Sequence, residues 1–132
     1  MGKNKKVLRF DGNYDFYMNK GVEYAKDGDY LKALRYLFGA SEKKPSDVDT
    51  MLHVALVYQK MGLLEMSNSA LYSVLAVHHE NQAACVMLGQ NYSLAGDSPR
   101  ELYYLKNYSE IAEDVDLMEI FENSVGFMPQ YE

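Results

Sequence analysis

Four side chains in this sequence are of the types that bind metal ions or act as nucleophiles: His53, His78, His79 and Cys85. His78 and His79 are adjacent, and neighbouring residues of a helix point in different directions, so this pair would chelate a metal ion poorly. A zinc site needs four ligands, and no spacing pattern supplies the partners that His53 and Cys85 would require. We therefore expect no metal site and no cofactor.

Other signatures of chemistry are absent from the sequence. It contains no glycine-rich phosphate-binding loop and no serine-centred nucleophile elbow, so we expect a protein that is not an enzyme. Asn91 and Asn107 each begin a glycosylation sequon. Both lie in predicted helices, and no apolar segment of a signal peptide follows the basic start, so we interpret the two sequons as coincidence.

Composition and charge restrict the class of protein. The chain has 132 residues, of which 48% are apolar and 24% charged, as in one globular domain. A net charge of −6 argues against nucleic-acid binding, and no apolar run is long enough to span a membrane. One cysteine excludes a disulfide framework. These features predict a cytoplasmic protein that binds neither nucleic acid nor membrane.

An internal repeat organises the sequence, because four columns of similar residues share a spacing of 34 residues. The columns are Tyr24, Tyr58 and Tyr92; Gly28, Gly62 and Gly96; Gly21, Ala55 and Gly89; and Leu37, Leu71 and Leu105. No insertion separates the copies. Four columns in one register indicate a structural unit present three times.

These columns make the sequence resemble the tetratricopeptide repeat (TPR) family, whose unit is a pair of antiparallel helices of 34 residues. The units are 14–47, 48–81 and 82–115. The first matches best, with Tyr17 in the Trp slot and Ala33 in the small-residue slot of the second helix; these slots hold Met51 and Ser67 in the second unit, and Cys85 and Glu101 in the third. The resemblance implies an all-α, right-handed TPR helical solenoid of three helix-turn-helix repeats, with Cys85 buried.

Helix boundaries follow from turn and capping residues. We predict helices over 14–27, 30–43, 47–61, 64–78, 82–95 and 98–113. The turn glycines end each first helix, Asp29 and Asp97 stand where they can cap the second helices, and Pro45-Ser46 with Asp49 marks the first unit boundary. Mid-helix Gly21 and Gly89 predict close helix crossings. A basic segment, 1–13, precedes the repeats, and 116–132 holds a capping helix and tail.

The resemblance also implies a concave groove lined by the first helix of each unit. Carried over, the groove positions are Asp15, Met18, Asn19, Val22, Ala25 and Lys26; Asp49, Leu52, His53, Leu56, Gln59 and Lys60; and Ala83, Val86, Met87, Gln90, Ser93 and Leu94. Periodicity cannot separate exposure in the groove from packing against neighbouring helices. The carboxylate clamp of co-chaperone TPR domains is not expected, because its positions here offer no cation: Met18, Val22, His53, Ala83 and Met87.

The function that these features predict is a protein-protein interaction module, or scaffold, that binds a peptide or helical segment of a partner protein in an apolar groove. Two alternatives stay open. One is a dedicated chaperone or assembly factor that shields an apolar client segment, and the other is the N-terminal regulatory part of a larger protein. Self-association through the tail or the solenoid ends also stays open.

Overall fold

The structure, a computed structural model, describes residues 13–97, 99–100 and 103–104, and all regular structure in these residues is helical. The five complete helices are α1 (Tyr14–Lys26), α2 (Tyr30–Lys43), α3 (Val48–Lys60), α4 (Leu64–Val77) and α5 (Gln82–Leu94). Each boundary lies within one residue of its prediction. The described residues do not include residues 1–12 of the basic segment, most of the predicted sixth helix, or any of 116–132.

The helices pair as a solenoid of helix-turn-helix units, which confirms the predicted all-α fold. Within the first two units α1 packs on α2 and α3 packs on α4. The units are joined by contacts of α2 with α3 and of α4 with α5. In addition, α1 contacts α3 and α3 contacts α5, so the first helices of the three units lie side by side.

The turn inside each unit depends on a glycine in the left-handed backbone region. The φ angles of Gly28, Gly62 and Gly96 are 82°, 80° and 78°. A side chain there would strain the backbone, whereas glycine adopts this conformation freely. The 34-residue glycine column therefore marks the three helix reversals.

Capping explains most helix starts. Asp29 caps α2 by accepting a hydrogen bond from the Lys32 backbone N–H. Asp47, which lies between Pro45-Ser46 and Asp49, caps α3, because its Oδ2 accepts from the Thr50 backbone N–H at 3.1 Å. Ser46 instead takes a φ of 65° in the turn.

The close crossing predicted at Gly21 is present. A Cβ atom built on Gly21 would lie 2.7 Å from Leu37 Cδ2, and Leu37 is completely buried. Gly21 therefore lets α1 approach α2 at a distance that no larger residue permits without displacement of Leu37. A second close approach was not predicted: a Cβ atom built on Gly39 would lie 2.7 Å from Cδ1 of the Tyr17 ring.

The start of the third unit's second helix is visible in the aromatic contacts. Residues 99–100 and 103–104 are helical, and the Tyr104 ring stacks on the Tyr92 ring with centroids 5.8 Å apart. Asp97 accepts hydrogen bonds from both the backbone and the side chain of Arg100. The chain after Gly96 thus turns back along α5, as it does in the first two units.

Candidate functional site

The groove is the surface of α1, α3 and α5 that faces away from the second helices. Ala55 marks the opposite side of α3, because Ser67 Oγ on α4 donates a hydrogen bond to the Ala55 carbonyl at 2.8 Å. His53 stands two residues earlier, about 200° around a helix of 3.6 residues per turn, and so lies on the groove side. The equivalent residues, 34 positions away in each direction, are Asn19 on α1 and Met87 on α5.

These three equivalent residues differ sharply in their exposure to solvent. Asn19 is exposed, His53 is 3% exposed and Met87 is completely buried. The side chains occupy the same place in successive units, so their own helix pairs cannot account for the difference. The equivalent position at the centre of the groove is therefore exposed in α1 and buried in α3 and α5.

Two further sets of equivalent residues define where the groove side is buried. Near the starts of the first helices, Asp15 and Asp49 are exposed whereas Ala83 is completely buried. At the other ends of these helices all three equivalents are exposed: Lys26, Lys60 and Leu94. The buried positions thus lie in the N-terminal half of α5 and the middle of α3, and the C-terminal ends of the three helices are exposed.

The remaining predicted groove residues lie mostly inside the protein. Leu52, Leu56 and Val86 are between 1% and 3% exposed, and Met18 is 9% exposed. All four belong to the hydrophobic core. Val22, Gln59 and Gln90 are half-buried. The exposed residues of the predicted set are Asp15, Asn19, Lys26, Asp49, Lys60, Ser93 and Leu94. The apolar row is therefore not an open surface, because these positions lie where the parallel first helices pack on one another.

A buried polar network, which the sequence reasoning missed, joins the second and third units. Asn91 is completely buried, and its Nδ2 donates to Ser67 Oγ at 2.9 Å and to Asn68 Oδ1 at 2.8 Å. Its Oδ1 accepts from Gln59 Nε2 at 2.8 Å. The sequence contained one sign of this network, because Ser67 occupies a slot in which the family pattern has alanine. The sequon at Asn91 is not a modification site in the folded protein, because both halves of the amide are buried and hydrogen-bonded.

Two buried titratable groups, His53 and Cys85, are held in their neutral forms. Burial lowers the pKa of His53 to about 4, although the Asp47 carboxylate acts in the opposite direction. Burial raises the pKa of Cys85, which is 4% exposed, so its thiol stays protonated at neutral pH and is a weak nucleophile. No group of three or more His, Cys, Asp or Glu in the described part of the chain could hold a metal ion.

The outer face, on the second helices, exposes apolar side chains. Leu31 and Phe38 on α2 are 71% and 46% exposed, and Met66 and Val77 on α4 are 47% and 48% exposed. This face is the competing surface for a protein partner, and it provides matched positions for controls. No helix in the described part of the chain has the length and apolar character needed to cross a membrane.

The fold is similar to that of MamA, a TPR-type helical solenoid. One crystal structure of MamA aligns with a TM-score of 0.73 and 16% sequence identity, over 96% of this chain and 77% of that one. MamA AMB-1 aligns with a TM-score of 0.71 and 14% identity over 88% of this chain, and a MamA mutant with 0.70 and 14% over 86%. This chain spans 63% and 62% of the length of those two. The sequence matches no family model and no curated protein.

Proposed function

We propose that this protein is an interaction scaffold that holds an apolar or amphipathic segment of a partner protein in the groove of α1, α3 and α5. The observation that carries the proposal is the side-by-side packing of α1, α3 and α5, which gives the solenoid a continuous face that points away from the second helices. On this face Leu94 is 67% exposed, and exposed apolar area is the feature by which interaction surfaces are recognised. The likeness to MamA supports the solenoid fold on which this reasoning depends.

The charged residues around the groove favour an apolar ligand over a charged one. Asp15 and Asp49 carry negative charge near the starts of the first helices, and Lys26 and Lys60 carry positive charge near their ends. The two signs balance. We therefore expect binding that depends little on salt, because little of the binding free energy comes from charge pairs that ions could screen.

The second candidate is a dedicated chaperone that shields an apolar client segment. It would use the same groove of α1, α3 and α5. The two functions differ in selectivity. A scaffold prefers one sequence, whereas a shielding chaperone accepts many apolar segments of similar length. A set of peptides with equal composition and different order separates the two.

The test is a binding titration with a defined probe. The probe is a synthetic helical peptide with apolar residues at i, i+3, i+4 and i+7, and its scrambled isomer is the reference. Leu94→Gln is the groove variant, and Leu31→Gln on the outer face is the matched control, because the two side chains are 67% and 71% exposed. We expect Leu94→Gln to weaken binding of the ordered peptide about tenfold and Leu31→Gln to leave it unchanged.

Three outcomes would contradict the proposal. They are equal affinity for the ordered and scrambled peptides, binding that is lost in Leu31→Gln but kept in Leu94→Gln, and affinity that falls steeply with added salt. Circular dichroism melting of both variants must show a retained fold. Leu52 and Leu56 are poor choices for this test, because polar residues at these core positions would unfold the protein.

A further inference from the structure

The three units differ around the tyrosine near the end of each first helix. In the first unit the Tyr24 ring stacks on Tyr36 of α2, with ring centroids 5.5 Å apart and planes at 24°. In the third unit the Tyr92 ring stacks on Tyr104, with centroids 5.8 Å apart and planes at 7°. Stacking at such distances is a favourable arrangement of aromatic rings. The same ring pair is therefore formed at equivalent positions of two units.

In the second unit, an alanine takes the place of the second ring. The tyrosine of its first helix is Tyr58, and the residue equivalent to Tyr36 and Tyr104 is Ala70. A cavity of about 320 Å³ lies beside Tyr58. The other residues that line this cavity belong to α4: Met66, Ser69, Ala70 and Ser73. The cavity thus lies where a tyrosine ring packs in the other two units.

The cation beside the ring pair is also replaced in the second unit. Lys32 Nζ lies 5.4 Å from the centroid of the Tyr24 ring. Arg100 Cζ lies 5.7 Å from the centroid of the Tyr92 ring. The equivalent residue in the second unit is Met66, whose thioether makes favourable contacts with aromatic rings. All five residues that line the cavity are uncharged, so the cavity favours a neutral ring over a charged group.

We propose that this cavity binds the side chain of a tyrosine from a partner protein, stacked on Tyr58. Tyr36 and Tyr104 are the templates for this ring within the same chain. The volume is at the lower end of the range for ligand sites, about 300–1,000 Å³, and suits a single ring. Ser69 and Ser73 supply hydroxyl groups at the exposed rim, which can pair with the phenol hydroxyl.

The opening of the cavity favours a ring that is carried by a protein segment. Met66, Ser69 and Ser73 are all exposed, so the cavity opens on the surface of α4 and does not enclose its ligand. A free single-ring molecule gains little from one stacked contact and loses its freedom of translation and rotation. A tyrosine in a protein segment shares that loss with the neighbouring contacts of the segment. Tyrosine is accordingly one of the residues enriched at protein interfaces.

This site is distinct from the groove. The groove lies on the side of α1, α3 and α5 that faces away from the second helices, whereas the cavity is lined by α4 itself. The inference therefore goes beyond the proposed function and does not rest on it. A segment that fills the groove without a tyrosine leaves the cavity unchanged.

The first experiment is a methyl NMR titration of the full-length chain with p-cresol, which is the tyrosine side chain as a free molecule. The reference probe is 4-methylcyclohexanol, which has the same heavy atoms but no planar ring. We expect p-cresol to shift the Met66 methyl signal and to bind about fivefold more tightly than the reference, because only a planar ring can stack on Tyr58. Equal affinity for the two probes, or an unchanged Met66 signal at the solubility limit of p-cresol, would overturn the inference.

Two variants test whether the probe lies in this cavity. Ala70→Tyr restores the ring that the other two units carry, so it should abolish binding of p-cresol. Tyr58→Leu removes the stacking surface but keeps an apolar side chain, so it should remove the preference for p-cresol even if Ala70→Tyr folds poorly. Leu31→Gln, at an exposed position of α2, is the control and should bind p-cresol as the parent does. Unchanged binding in a folded Ala70→Tyr, or a preference retained in Tyr58→Leu, would contradict the proposed site.

The second experiment identifies the source of the ring. A flexible peptide with one tyrosine should shift the Met66 signal, and the same peptide with leucine in place of tyrosine should not. Cross-peaks from the Met66 methyl group to the ring of Tyr108 or Tyr131, in the protein without any probe, would overturn the inference in favour of a ring of this chain. A Met66 shift that depends on protein concentration would overturn it in favour of a second copy.

The two proposals fail in different ways. A helical peptide whose apolar residues are all leucine tests the groove, and its binding should not change in Ala70→Tyr. If this peptide binds and p-cresol does not, the groove function is supported and the cavity is not a ring site. If p-cresol binds and the peptide does not, the ring site is supported and the groove is not the binding surface.

Discussion

Asn91 Nδ2 donates a hydrogen bond to Ser67 Oγ at 2.9 Å, and both side chains are completely buried. The two residues belong to different units, so this bond fixes how the third unit sits on the second. It also explains why the second unit departs from the family pattern. Ser67 replaces alanine at this slot because its hydroxyl both donates to Ala55 and accepts from Asn91.

Removal of the Asn91 amide should destabilise the protein substantially. In Asn91→Ala the buried polar atoms of Ser67 and Gln59 lose a partner, which should lower the free energy of unfolding by about 3 kcal/mol. Asn68→Ala, which removes a half-buried acceptor of one bond, should cost less than half as much. The double variant with Ser67→Ala should cost about 1 kcal/mol less than the sum of the single changes. Urea denaturation measures all four, and strict additivity would show that the two residues do not interact.

The crossing of α1 over α2 should not tolerate a methyl group at position 21. Gly21→Ala places Cβ against the buried Leu37 side chain and should cost about 1–3 kcal/mol of stability. Gly28→Ala has open space, so it should cost only the backbone strain of its positive φ, about 1 kcal/mol. Leu37→Val should relieve part of the loss in Gly21→Ala and none of the loss in Gly28→Ala. Thermal melts of the five variants test this, and equal effects of Leu37→Val on both would contradict the steric account.

Stability should fall between pH 6.5 and pH 4 because of His53. The pKa of its imidazole is 6.5 in the unfolded chain and about 4 in the folded protein. Between these values the unfolded state binds more protons, so the free energy of unfolding decreases as pH decreases, by an amount on the order of 3 kcal/mol. Above pH 6.5 the contribution is complete. His53→Gln should flatten this dependence and His79→Gln, at an exposed position, should not. A slope that survives in His53→Gln would assign it to other groups.

Two aspartate caps should differ in strength. Asp47 accepts from the Thr50 backbone, from Thr50 Oγ1 at 2.9 Å and from the Tyr14 hydroxyl at 2.7 Å, whereas Asp29 accepts from the Lys32 backbone at a long 3.4 Å. Asp47→Ala should therefore lower stability by about 2 kcal/mol, and Asp29→Ala by about 0.5 kcal/mol. Chemical denaturation of the two variants gives the comparison, and the reverse order would contradict the assignment of caps.

The helices were predictable because their limits depend on local residues. A left-handed turn at Gly28 and an N-cap at Asp29 need only a few neighbouring positions, and the repeat supplied each signal three times. The unit boundary at Asp47 was harder, since Ser46 and Asp49 offer similar capping chemistry in the sequence. Only the contact with Tyr14, 33 residues away, distinguishes Asp47.

The candidate site was less predictable, because it depends on contacts between distant segments. The family pattern predicts that His53 and Met87 lie on the groove side, but periodicity contains no information about how deeply these side chains are buried. The buried hydrogen bonds of Asn91 could not be predicted for the same reason, because the sequence does not distinguish a buried amide from a surface amide. Ser67 alone indicated that the interface between the second and third units was unusual.

The most direct test of the central claim is the location of the ligand by methyl NMR. Methionine methyl groups report on both surfaces, because Met18 and Met87 are buried in the first helices that line the groove and Met66 is exposed on the outer face. We predict that the helical peptide shifts the Met87 and Met18 signals and leaves Met66 unchanged. A shift of Met66 with Met87 unmoved would place the binding site on the outer face and contradict the account.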